Sequence, residues 1–186
     1  MTAHPSPAPI LSRPLAISDV SPDGTTVRVV ATEAERRALA RDIDIPSIES
    51  LEAELTVRPW ARTGFRMTGR VRASVTQTCV VTLEPVAQVV DEPVDVKFVP
   101  PSEAAKYAAA RDEDGEVVLD AEAEDPPDVF EGGTLDPGAV AEEYMVLGLD
   151  PYPRKPGVAF EPVAESRGGA EAPASPFAAL AKLKRD

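Results

Sequence analysis

Phe65, Met67, Gly69, Val71, Ala73 and Val75 alternate without a break with Arg66, Thr68, Arg70, Arg72, Ser74 and Thr76. A period of two over twelve residues predicts a strand with one face buried and the other in water. The stretch before it repeats the pattern, with Leu51, Ala53, Leu55 and Val57 set against Glu52, Glu54, Thr56 and Arg58. From Leu55 to Trp60 the run reads as apolar at its end, and Trp60 is expected to close the core there. Thr25–Ala31 (TTVRVVA) follows the turn signal Pro22-Asp23-Gly24 and predicts a strand as well. Cys79–Leu83 reads as an extension of the long strand past a bulge near Gln77. Val86–Val90 and Val94–Val99 read as one more strand, broken by Pro93 and stopped by Pro100-Pro101.

Helical signals are interleaved with these strands. Thr32 with Glu35 three residues on forms a capping-box pattern and predicts a helix over 33–42. Ser102 is the expected N-cap of a helix reaching Arg111. Asp136 before Pro137 pairs an acidic N-cap with an N1 proline. Val140, Tyr144 and Leu147, with Met145 and Gly148, then follow helical spacing over 137–148. Gly148 can end that helix, and Pro151, Pro153 and Pro156 forbid its continuation, leaving Asp150–Gly157 as a semi-rigid extended arm. The segment AEEYMVLGLDPYPRKPG (141–157) has no catalytic signature. It reads as a packing or docking element, with Glu142, Glu143, Asp150, Tyr152 and Arg154 as candidate partner-docking residues.

These elements predict a single α+β domain over 15–160, a mainly antiparallel sheet with flanking short helices. Residues 1–14, rich in proline and small side chains, are expected to be a disordered tail. Residues 111–133 are expected to be a flexible acidic insert, with a short strand at Glu116–Leu119 as an option. A linker over 161–175 and a short amphipathic C-terminal helix within 176–186 (PFAALAKLK) complete the chain.

Composition narrows the chemistry. The 186 residues are 43% hydrophobic, enough for a core of ordinary size. With one cysteine there is no intramolecular disulfide, and one cysteine plus one histidine cannot build a zinc site. His4 lies in the expected tail, so no base is in place to activate Cys79, which reads as a small buried residue near a strand bend. Neither a Gly-x-Gly-x-x-Gly nor a Walker pattern occurs, and the acidic run at 112–116 does not fit an EF-hand loop. No apolar run reaches the ~20 residues of a membrane span, and the N-terminus lacks a signal-peptide core. A cytoplasmic, non-enzymatic protein with no cofactor, no metal and no small-molecule substrate is the expectation.

Charge is unevenly spread. The net charge is −13, and residues 111–150 hold 14 acidic residues against Arg111 alone, so the excess lies in that one segment. Between Glu54 and Glu84 there is no carboxylate, yet Arg58, Arg62, Arg66, Arg70 and Arg72 fall there. These five are the candidate RNA-binding residues. Arg70 and Arg72 on one strand face stand about 7 Å apart, near the spacing of successive phosphates on a single RNA strand. That face lacks an aromatic residue in this reading, so base stacking is not expected. The competing interpretation is a solvated sheet face whose arginines pair with Glu52 and Glu54 on a neighbouring strand.

Three blocks, GRVRASVTQTCVVTLEPV (69–86), DVKFVPP (95–101) and GGTLDPGAVAEEYMVLGLDPYPRKPG (132–157), in this order with an acidic insert before the last, resemble the YceD family of large ribosomal RNA subunit accumulation proteins. The PFAALAKLK ending resembles its alphaproteobacterial branch. The resemblance spans roughly 15–184 and implies a factor that supports 23S ribosomal RNA accumulation or processing and ribosome biogenesis. Its implied partners are ribosomal RNA or a pre-ribosomal particle, and basic ribosomal proteins. Many members carry a Cys-x-x-Cys pair, placed here at Thr76-Gln77-Thr78-Cys79, of which only the second cysteine is present. A module that binds a basic client through the acidic segment, without touching RNA, is the alternative.

Overall fold

The computed structural model describes residues 8–107 and 125–158. Its elements are β1 (Leu15–Ala16), β2 (Thr25–Val30), α1 (Glu33–Asp42), β3 (Ser47–Trp60), β4 (Gly64–Thr78), β5 (Pro85–Val99), α2 (Pro101–Ala104), β6 (Asp128–Val129), β7 (Thr134–Leu135) and α3 (Pro137–Leu147). A short 3₁₀ turn, Ile17–Asp19, follows β1. The main sheet runs β2-β3-β4-β5-β6, antiparallel except for the two-residue β5–β6 pair, and β1 pairs with β7 apart from it. This is the expected α+β architecture.

Alternation decides the two faces. Leu51, Leu55, Val57, Met67, Val71, Val75, Val90 and Val94 point to one side and join Met145, Ala141 and Val140 of α3 in a single core. The α1 capping box forms as read, with Thr32 Oγ1 accepting the Glu35 N–H and the Glu35 carboxylate accepting the Thr32 N–H. On α3, Asp136 accepts the N–H groups of Gly138 and Ala139. Gly148 ends that helix at φ −79, a value any residue adopts. Its smallness is needed for space, since a Cβ there would lie 2.6 Å from Val90 Cγ1 and Glu92 Cγ.

Several expectations are corrected. Residues 8–14 are not part of a disordered tail. Leu11 is fully buried in the core, its N–H donates to Glu142 Oε2 at 2.6 Å, and the Arg13 N–H donates to Asp136 Oδ1 at 2.7 Å. Apolar patterning around a single leucine among prolines is too sparse to show this. Residues 125–133, assigned to the flexible insert, carry β6 and the core residue Phe130, whose ring meets Phe65 edge-on at 5.8 Å. Pro93 does not break β5, because the outer edge of β5 is paired only at Phe98 and Val99 and a missing N–H is tolerated on such an edge. Cys79–Leu83 turns rather than extending β4, with the Leu83 N–H donating to Cys79 O at 2.9 Å. The helix expected from Ser102 begins at Pro101, with Pro100 in the N-cap place. Leu147, set on the apolar stripe of α3, is 70% exposed. The helix begun at Pro101 ends at Ala104 and residues 105–107 turn instead of continuing it to Arg111, while residues 1–7 and 108–111, the strand option at Glu116–Leu119, the 161–175 linker and the 176–186 helix lie outside the described residues.

Candidate nucleic-acid interface

On the face of the sheet opposite α3, the open face among the described residues, the register arranges the side chains in rows across the strands. Arg28, Glu54 and Arg70 fall in one row, ending on Pro93. The next holds Val30, Glu52, Arg72 and Asp91. Toward the β3–β4 turn, Arg58 stands opposite Arg66, which stands opposite Lys97. Two strand spacings of roughly 5 Å place three cations within about 10 Å. Like charges directly opposite each other disfavour strand pairing unless they are compensated by other groups.

Carboxylates of β5 meet the arginines. Arg66 donates from Nε and Nη2 to the two oxygens of Asp95 at 2.7 and 2.5 Å. Arg70 Nε donates to Asp91 Oδ1 at 2.5 Å, and Arg72 Nε lies 3.4 Å from the same oxygen. The hydrogen bond from Arg70 holds the Asp91 carboxyl below its usual range, and Arg66 does the same for Asp95. The partners thus differ from the expected Glu52 and Glu54. Those two are in register with Arg72 and Arg70, but the close pair of Glu52 is Arg28, at 3.5 Å. All these ion pairs face solvent, where such a pair contributes little.

Of the five candidate arginines, Arg58 and Arg66 are cross-strand neighbours, and Arg70 and Arg72 follow along β4 on the same face. Arg62 sits in the exposed turn between β3 and β4, near enough to Glu103 to help lower its carboxyl, after Lys106 and Thr63. Sequence reasoning missed Lys97 and misplaced Trp60. The even-numbered alternation Glu52-Glu54-Thr56-Arg58 continues to residue 60, so Trp60 belongs to the open face. Its half-buried ring packs beside Tyr107 at 6.1 Å between centroids, and Lys97 Nζ stands 5.4 Å from the ring centre. Carrying the period through to residue 60, and registering β5 against β4, would have found both.

The docking candidates do not come together. Glu142 is engaged by the Leu11 N–H at the N-terminal segment. Glu143 is exposed on α3, while Tyr152 and Arg154 are exposed on the arm. The arm is no free projection. Val80 N–H donates to Pro153 O at 2.9 Å, Gln77 Nε2 to Asp150 O at 3.0 Å, and Gln88 Nε2 to Gly148 O at 2.9 Å. Asp150 spends its own carboxylate on the Tyr152 N–H at 2.8 Å.

The same arm covers Cys79. Its buried Sγ lies 3.4 Å from the Thr82 nitrogen and 3.5 Å from that of Lys155, both donors. The Thr82 hydroxyl, then the N–H groups of Lys155, Thr82 and Val81, lower the thiol to about 6. Thr76 instead lies on the open face, donating to Glu49 Oε1 at 2.8 Å. A second thiol able to pair with Cys79 would therefore stand at position 82, not at 76 as the sequence was read.

Among the described residues no group of three His, Cys, Asp or Glu side chains is placed to hold a metal ion, and no helix is long and apolar enough to cross a membrane. The sequence profile of the YceD family, described as large ribosomal RNA subunit accumulation protein YceD, matches residues 67–184. The chain belongs to that family, which associates it with ribosome biogenesis. Searches of curated proteins and of solved structures find no match. The matched region starts inside β4, so β2 and β3, which carry Arg58 and Trp60, precede it.

Proposed function

We propose that the chain is a non-enzymatic factor that supports 23S ribosomal RNA accumulation and processing by holding RNA on the open sheet face. One observation supports this reading: the row Arg58, Arg66 and Lys97 across β3, β4 and β5 on the sheet face opposite α3, with Arg70 and Arg72 continuing it along β4 and Arg62 in the adjoining turn. Phosphate contacts of this kind give affinity without reading sequence. The proposed partners are ribosomal RNA or a pre-ribosomal particle in the cytoplasm, with no small-molecule substrate and no cofactor. The PFAALAKLK ending supports the alphaproteobacterial form of the family.

Each neutralised phosphate releases counterions, so log affinity falls against log salt by about 0.7 per contact for a single strand. Replacing Arg58, Arg66 and Lys97 together by glutamine is expected to flatten that slope by about two units while the fold is retained. An unchanged slope would assign the face to solvent. The assembly role would then run through the alternative, capture of a basic ribosomal client by the acidic segment.

A further inference from the structure

We propose that the threonine row Thr26, Thr56 and Thr68 reads the ribose 2′-hydroxyl, so that the open face tells RNA from the same strand of DNA. The inference rests on the reading of this face as an RNA surface and adds to it what sets the sugar preference. Phosphate contacts position a strand without telling the two nucleic acids apart, because both carry the same phosphates. A group that makes the distinction must meet the 2′-hydroxyl, which both donates and accepts a hydrogen bond.

The register puts such groups beside the cations. Thr26 stands opposite Thr56, Thr56 opposite Thr68 and Thr68 opposite Asp95, in a row parallel to Arg58, Arg66 and Lys97. Two residues along each strand separate the rows, about 7 Å. At the β2 end Gly24 leaves room for a member of each row, since a Cβ there would lie 2.7 Å from Arg58 Cγ and 3.3 Å from Thr56 Cγ2. Thr26 and Thr56 share one hydrogen bond between their Oγ1 atoms, at 2.9 Å. Two hydroxyls joined by a single bond still offer one hydrogen and several lone pairs to a ligand. Thr68 is half-buried, and among the described residues no hydrogen-bond partner meets its hydroxyl. Asp95, at the β5 end of the row, has both carboxylate oxygens engaged by Arg66. A sugar-phosphate backbone laid along the cation row therefore turns one edge toward hydroxyls. Threonine also suits a strand, and Thr–Thr pairs help to hold a sheet together. That use alone gives no preference between the two sugars, so the sugar decides between the two roles.

The test titrates the full chain with an unstructured ten-nucleotide RNA and with its 2′-deoxy counterpart, uracil kept, at several salt concentrations. Expected are tighter binding of the RNA, on the order of tenfold for two hydrogen bonds, and the same salt slope for both strands. Thr56→Val and Thr68→Val together should bring RNA affinity down to that of the 2′-deoxy strand and leave the latter where it was. Serine at both positions should restore the preference, which separates the hydroxyl from the shape of the side chain. The comparison of the two strands on the unsubstituted chain needs no variant at all. Equal affinity for both strands there, or an undiminished RNA preference in the valine variant, would overturn the hydroxyl role while leaving the cation face standing. An equal loss for both strands in the valine variant would overturn it too, assigning the threonines to the sheet itself. If neither strand binds at low salt, the reading of the face fails, and the hydroxyl role fails with it.

Discussion

The two faces of the β3–β4–β5 sheet are made of alternate residues of the same three strands, yet they are organised on opposite principles. On the α3 side every large side chain has a fixed neighbour: Leu55, Val57, Met67 and Val71 are fully enclosed. The other side has ion pairs in water, a row of like charges and a tryptophan that one lysine overlies. The fold depends on the first face and is indifferent to much of the second. Where stability does not dictate a residue, its presence needs another explanation, and the proposed RNA contact offers one for the row of cations.

The contrast is broken most forcefully from the covered side. Leu11→Ala and Met145→Ala each empty a fully buried site and are expected to cost about 3 kcal/mol in urea unfolding. RNA affinity per folded molecule should stay the same. Gly69→Ala strikes between the faces. A Cβ there would run into the Glu54 carbonyl, and an overpacked strand of this kind is expected to lose about 2 kcal/mol. If Gly69→Ala left the unfolding midpoint unmoved, the close β3–β4 approach at this point would be wrong.

Smaller effects sharpen the comparison. Arg13 holds the Glu35 carboxyl at about 2 against its ordinary 4.5, followed in effect by Thr32. The folded state keeps this carboxylate ionised where the unfolded chain protonates it. The stabilisation is complete above pH 4.5 and disappears as pH falls toward about 2. Acid titration of Glu35→Gln should show a shallower loss in that window. On the open face, Asp91→Asn should leave thermal stability within scatter and strengthen RNA binding at low salt, because it releases Arg70 and Arg72 from their shared partner. Weaker binding would show that the pairing positions the arginines instead. The least effect is expected from Cys79→Ser, which should stay folded and support ribosomal RNA accumulation.

What was legible follows from range. Local signals hold: the period of two gave β3 and β4, and Thr32 with Glu35 gave α1 to the residue. The five arginines were assigned to a common region by charge alone, and four of them do lie on one face. Partners across the sheet were not legible, because Asp91 and Asp95 meet the arginines through a register that the hairpin fixes, not through their place in the chain. Leu11 and Phe130 were lost for a related reason. Each is one apolar residue in a polar or proline-rich stretch, and its partners, Glu142 of α3 for Leu11 and Phe65 for Phe130, lie far along the chain.

The pairing of Leu15 with Leu135 has a consequence for the order of events during synthesis. Strands β3 to β5 are joined by short turns, and β2 reaches β3 through α1, so these strands can assemble while the chain is still emerging. The N-terminal segment is made first but cannot settle until α3 exists, because the Leu11 N–H waits for Glu142 and the Arg13 N–H for Asp136. Leu11 and Arg13 are thus made before α3 and find their place only after it. Until then the newly made sheet has its apolar side uncovered, and that interval is when a nascent chain is most exposed to aggregation.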